Sequence, residues 1–232
     1  MGGHAGGEVA SALAIKTLAE LIPVLEQGDI DNDSIEDLLL STLQGIDSEI
    51  GRVAGANIDL TGMGTTLSAL IMYGEDLDKK VALLHVGDSR CYRLRGNTLT
   101  QISRDHTVLQ ELLDQGGISS EEAHEHPQRA FLTQALMGEG SLSPVFMIYQ
   151  VNAKDRFLLC SDGLSGLLTE KVMKAGMKIH DRDEALTFLV DAAYSAGAPD
   201  NVTVILADFD RENRNSFPIT FLGAANDEEV YK

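Results

Sequence analysis

The sequence predicts an α+β layered sandwich, and three features of the chain predict it. Two long helical patterns open the chain, four apolar strand-like runs follow one another over residues 65–103, and further strands and helices come after them. Two successive helices alone point to a bundle, but the run of short strands behind them turns the prediction to layers.

The glycine-dense opening "MGGHAGGEVA" leads into a helical pattern from about Glu8 to Leu25, with Leu13, Leu18, Leu21, Ile22 and Leu25 as its apolar stripe. Gly28 and the acidic run "DIDND" punctuate it. A second helix is expected from Ser34 to about Val53, with Asp33 as N-cap and Glu36 three residues on. Gly62 and Gly64 then permit close packing or an unusual dihedral. The segments "TTLSALIMYG", "KVALLHVG", "RCYRLRG" and "TLTQIS" read as four successive strands, with "RGN" as a tight hairpin turn. Short links between such strands imply antiparallel pairing.

Residues 105–140 are polar and read as short helices, the first being "TVLQELLDQGG" with Thr107 and Gln110 as a capping box. The irregular piece from Gly116 to Gly140 is a candidate flap. Two strands near Pro144 to Val151 and Arg156 to Ser161 precede helices near Glu170 to Ala175 and Arg182 to Ala196. "NVTVILADFD" is the last strand, and the tail from Arg211 is polar apart from "FPITFLG". One domain is expected over 1–210, with the flap at about 107–141 and an irregular tail at 211–232.

Eighteen basic residues against 36 acidic ones give a formal charge of −18. Such a surface repels nucleic acid and anionic lipid, which argues against partners of either kind. A phosphate-handling enzyme of this composition needs divalent cations seated on clustered carboxylates, which reverse the sign of the field locally. With no Trp and 5% aromatics, the core must be built from Leu, Val, Ile, Ala and Met. Cys91 and Cys160 each lie inside an apolar stretch and read as reduced core thiols of a cytoplasmic protein. There is no charged-then-apolar leader, and no apolar run approaches the ~18 residues of a membrane span, so a soluble protein is expected.

Three acidic residues share a local setting. Asp88 follows "VALLHVG", Asp162 follows "FLLCS", and Asp200 lies in "GAPDN" just before the last strand. Strand ends at the rim of a sheet can bring carboxylates from distant parts of a chain onto one metal, and hard cations such as magnesium and manganese favour oxygen ligands. For any one of them plain turn chemistry is the favoured reading, because Asp beside Gly, Ser or Asn is a common turn former, and it is the three similar placements together that favour a metal.

Seven segments in one order carry a resemblance: "MGGHAGGEVAS", "TGMGTTLSAL", "VGDSRCYRL", "SRDHTVLQELLDQGGIS", "HPQRAFLTQALMG", "LLCSDGL" and "GAPDNVTVILAD". Together they resemble the metal-dependent protein phosphatases of type 2C, in their bacterial branch. The resemblance implies a four-layer α-β-β-α sandwich with two antiparallel sheets. It also implies hydrolysis of phosphoserine and phosphothreonine in proteins by water activated on two Mn2+ or Mg2+ ions. Phosphoproteins, serine/threonine kinases and the kinases' substrates would be the partners. By the motif match Asp162 and Asp200 are ligands of the binuclear centre, and Asp88 holds a third, weaker cation with Asp162.

His4 and Met1 stand near the position where the family places a proton donor to the leaving oxygen, and His4 reads as a helix-entry residue. Arg90 reads as an exposed strand arginine, with phosphate contact as the other reading, while Asp105 and His106 organise the start of the flap helix. Gln134 replaces an arginine common in the family. In the family an Asp-Gly pair that ligates both metals, and further strands, precede the methionine with which this sequence opens. On that ground the resemblance implies weakened binding of the cation pair and missing first strands. It also leaves a second reading, a catalytically impaired pseudo-phosphatase that binds phosphoproteins or kinases without turnover.

Overall fold

The computed structural model of the chain describes residues 6–26, 30–74, 79–119, 131–209 and 219–227. Met1, His4, Gly28, the middle of the expected flap and most of the expected tail lie outside these residues.

The first helical pattern is two helices. α1 (Gly7–Ala19) ends at Glu20, and α2 (Ile22–Leu25) restarts with Pro23 in its first turn. Pro23 lacks the N–H that an uninterrupted helix would bond to residue 19, so the expected single helix breaks there. The buried face of α1 is alanine, at positions 10, 12 and 14, which lets the helix lie close to its neighbours. α3 (Asn32–Ala56) buries Ile35, Leu39, Leu43, Ile46 and Ile50, the 3-and-4 spacing of a one-sided helix. Its cap is Asp31 and not Asp33: the Asp31 carboxylate accepts the Ser34 N–H at 2.7 Å, and Asp33 is the second residue of the helix.

All seven expected strands form. β1 (Leu67–Tyr73), β2 (Lys80–Val86) and β5 (Val145–Gln150) make one antiparallel sheet in the order β1-β2-β5. β3 (Arg90–Arg95), β4 (Thr98–Gln101), β6 (Arg156–Cys160) and β7 (Val204–Asp208) make a second, in the order β4-β3-β6-β7. The four successive strands are therefore two hairpins in two sheets. β2 and β3 do not pair, and the link Gly87-Asp88-Ser89 carries the chain from one sheet to the other.

Alternation sorts each strand's side chains into separate cores. Val81, Leu83, Cys91 and Phe157 fill the space between the sheets. Leu67, Ala82, Leu84 and Val86 face α1 and α3 on the outer side of the first sheet. Tyr92, Leu94, Leu158 and Cys160 meet Met173, Met177 and Leu189 on the outer side of the second. Those last residues belong to α6 (Glu170–Met177) and α7 (Arg182–Ser195). The result is helix, sheet, sheet, helix: the layered α+β sandwich the sequence predicts.

Two arginines fix the second sheet to its surroundings. Arg95 grips the buried Asp155 with two bonds of 2.8 and 2.6 Å. Arg156 bonds both carboxylate oxygens of Asp208 and the carbonyls of Met177, Ile179 and His180, so it ties the link between α6 and α7 to the sheet. Cys91 and Cys160 are buried and unbonded to each other, and burial pushes both thiols well up, which keeps them protonated. Among the described residues no helix is long and apolar enough to cross a membrane.

Candidate functional site

Asp88 sits at the middle of the three-residue link between the sheets, and α5 (Asp162–Ser165), a single turn, puts Asp162 directly past the end of β6. Register explains their meeting. β3 pairs with β6 so that Arg90, two residues after Asp88, lies opposite Cys160, two residues before Asp162. The two carboxylates consequently leave adjacent strands at the same rim.

The Asp200 segment reaches the same place through its backbone. The Ser161 hydroxyl donates to the Asn201 carbonyl at 3.1 Å and accepts the Thr203 N–H at 3.0 Å. Gly163 packs so closely on this loop that a Cβ there would lie 2.3 Å from the Asn201 carbonyl oxygen. The Asp200 carboxylate itself turns back to accept the Asn201 N–H at 2.7 Å. Among the described residues no three His, Cys, Asp or Glu side chains stand close enough together to hold a metal ion. The structure thus gathers the three segments, and of the three carboxylates it brings Asp88 and Asp162 into each other's field.

That field is visible in the chemistry of Asp88. Burial pushes its carboxyl up to about 6, and the negative charges of Asp162 and Asp105 add to the effect. Arg90, the nearby cation, is committed elsewhere: its guanidinium holds Asp105 at 2.8 and 2.7 Å, and Gln101 donates to the same carboxylate at 3.0 Å. Arg90 is therefore not a free exposed arginine: it is partly buried and neutralises the buried Asp105. Asp88 and Asp162, in no ion pair with an arginine among the described residues, are oxygen donors crowded at one rim. Their donor chemistry is the all-oxygen kind that magnesium and manganese take, although among the described residues they do not stand together as a set of three.

Asp105 is the site residue that the sequence reading underrated. It lies 4% exposed beyond the exit of β4, the same signal that singled out the other three aspartates. His106 has a second task as well. Beyond leading into Thr107, whose hydroxyl caps α4 (Val108–Asp114) by accepting the Gln110 N–H at 3.1 Å, it bonds the backbone of Gly87 on both sides. The reciprocal half of the expected capping box is absent, because the Gln110 amide reaches forward to Asp114 at 2.7 Å. His106 also stacks on His85, with ring centroids 5.4 Å apart. Burial pushes both rings down, His85 to about 4, so the pair is neutral near pH 7.

Gly87 is the residue the link cannot change. Its φ is +110°, and a Cβ would lie 2.3 Å from the Thr66 methyl. Gly87→Ala is expected to cost about 3 kcal/mol, from left-handed strain plus the clash. A urea titration checks it, with the midpoint falling at constant slope.

Known proteins resemble this chain closely. The family model "Protein phosphatase 2C" matches residues 1–196. Serine/threonine protein phosphatase PstP of Mycobacterium tuberculosis is 41% identical over 208 residues, covering 90% of this chain and 38% of PstP, so the chain spans well under half of that relative. Serine/threonine phosphatase stp of Listeria monocytogenes is 36% identical over 90% of this chain and 82% of its own length. The crystal structure of the PstP catalytic domain in complex with two manganese ions superposes with a TM-score of 0.76 at 39% identity, covering 90% of this chain and 84% of that one.

Proposed function

Because the chain belongs to the protein phosphatase 2C family, we propose that it removes phosphate from phosphoserine and phosphothreonine in proteins with the help of Mn2+ or Mg2+. The observation that carries this reading is the meeting of Asp88 and Asp162 at one rim of the sandwich, each in the other's field and neither paired with an arginine among the described residues. The relatives' activity and the manganese of the PstP complex support it.

Asp162 and Asp200 would hold the catalytic cations, with Asp88 and Asp162 holding a further one. A bound cation pair supplies a water acidified to near neutrality and positive charge for the phosphoryl oxygens. The protein's own part is to hold the carboxylates. Ser161 fastens the Asp200 loop to the end of β6, and Gly163 allows that loop to lie directly on the first turn after Asp162. A chain of charge −18 repels a phosphorylated protein at long range, so binding rests on this local centre. Serine/threonine kinases and their substrates in the cytoplasm are the partners this reading names.

Hydrolysis of a phosphothreonine peptide with manganese tests it. Asp162→Asn is expected to lower kcat at least about a hundredfold, the scale of losing one fixed electrostatic contact to the reacting group. Equal turnover by the variant refutes the assignment. Tight peptide binding without turnover by the parent chain would instead mark a binding module.

A further inference from the structure

We infer that His106 and Ser68, neither of which is an acidic ligand, are positioning residues that aim Asp88 into the site. The inference rests on the reading of Asp88 as a cation ligand. Asp88 sits on a link of three residues between two sheets, with no strand partner of its own, so its direction is set by whatever holds Gly87 and Ser89.

Both are held by side chains from other elements. On the Gly87 side, the Gly87 N–H donates to His106 Nδ1 at 3.1 Å, and the His106 N–H donates to the Gly87 carbonyl at 2.8 Å. On the other side, the Ser68 hydroxyl of β1 donates to the Ser89 carbonyl at 3.0 Å, and the Thr66 and Ser89 hydroxyls are 2.9 Å apart. The two clamps join. Having given its proton to Ser89, the Ser68 oxygen accepts from His85 Nδ1 at 2.8 Å, and the His85 ring stacks on His106. Half-buried Ser68 and the buried His85 and His106 therefore form one circuit around the link. Gly87 can take its φ of +110° without strain, but a glycine is free to take many other conformations as well, so the circuit is what holds the link in this one.

Partners that orient a ligand without touching the metal typically change metal affinity 10–100-fold when removed. Calorimetric titration of the chain with MnCl2 tests the idea, alongside circular dichroism melting of each variant. Ser68→Ala and His106→Leu are each expected to weaken the Asp88-dependent manganese binding about tenfold, and His106→Asn to restore most of it. The asparagine oxygen takes the place of Nδ1 as acceptor for the Gly87 N–H, a recovery that mere filling of space would not give. Asp88→Asn separates the two levels of the claim. If it leaves manganese binding unchanged, the reading of Asp88 as a ligand falls, and the inference falls with it. Should Asp88→Asn weaken binding while Ser68→Ala and His106→Leu titrate like the parent, Asp88 stays a ligand and the positioning role is overturned. If His106→Leu does not fold, Ser68→Ala and His106→Asn decide in the same way.

Discussion

Asp47→Ala is expected to lower stability by about 3 kcal/mol and the melting temperature by about 6–12 °C. Asp47 projects from the middle of α3 at 2% exposure, and its carboxyl group accepts three backbone N–H bonds, from Met137 at 2.9 Å, Gly138 at 2.8 Å and Gly140 at 3.0 Å. Helix and loop touch there backbone to backbone. Gly138 has φ +81°, and a Cβ on it would lie 2.2 Å from the Gly51 Cα. So close a contact leaves little room for another side chain to take the place of the Asp47 carboxylate. Water reaches part of it, because Gly138 and Gly140 are exposed, and this holds the loss to about one kcal/mol per orphaned group. Asp47→Asn retains Oδ1 and with it the bonds to Met137 and Gly138, so it should cost about a third as much. Thermal melts of the two variants side by side check both size and order; equal losses would show that shape, not the hydrogen bonds, governs the site.

Arg156→Met should cost about 3–4 kcal/mol, the range for removing one partner of a buried ion pair. The side chain of Arg156 is 11% exposed and that of Asp208 34%, so the stranded carboxylate is partly solvated and the figure falls at the lower end. Most of the loss comes from the carbonyls of Met177, Ile179 and His180, which crowd the end of α6 and have the guanidinium as their common donor. Arg156→Lys retains the charge and recovers little, because an ammonium cannot span a carboxylate and three carbonyls in a planar fork. Urea unfolding of both variants is the measurement. A lysine variant as stable as the parent would mean that charge alone matters.

Most of the framework was legible in the sequence because it follows from local pattern. The short apolar runs "KVALLHV" and "RCYRLR", bounded by glycine and acidic turns, mark the strands, while β2 is buried on both faces and its sides could not be told apart. Pairing across the sheets was not legible. Nothing in the three residues Gly87-Asp88-Ser89 distinguishes a hairpin turn from a crossing between sheets, and the choice is made by where Leu83 and Cys91 find apolar cover. The α3 cap was misplaced by two residues for a similar reason, since the run "DIDND" offers several aspartates and local spacing does not choose between them. Asp88 and Asp162 could be singled out because strand ends announce themselves. Arg90 could not be read, as its partner Asp105 is fifteen residues away and fixed by tertiary packing. Asp47 did leave a trace: it lies on the stripe of Leu43, Ile46 and Ile50, where a polar residue within a helical core pattern asks for buried donors.

The crossing between the sheets has a mechanical consequence. Both carboxylates flank the paired strands β3 and β6, but the link that carries Asp88 is also anchored to the first sheet through β2, so Asp88 is tied to both sheets and Asp162 to the second. Leu83 and Phe157, packed between the sheets, hold the two anchors of that link at a fixed spacing.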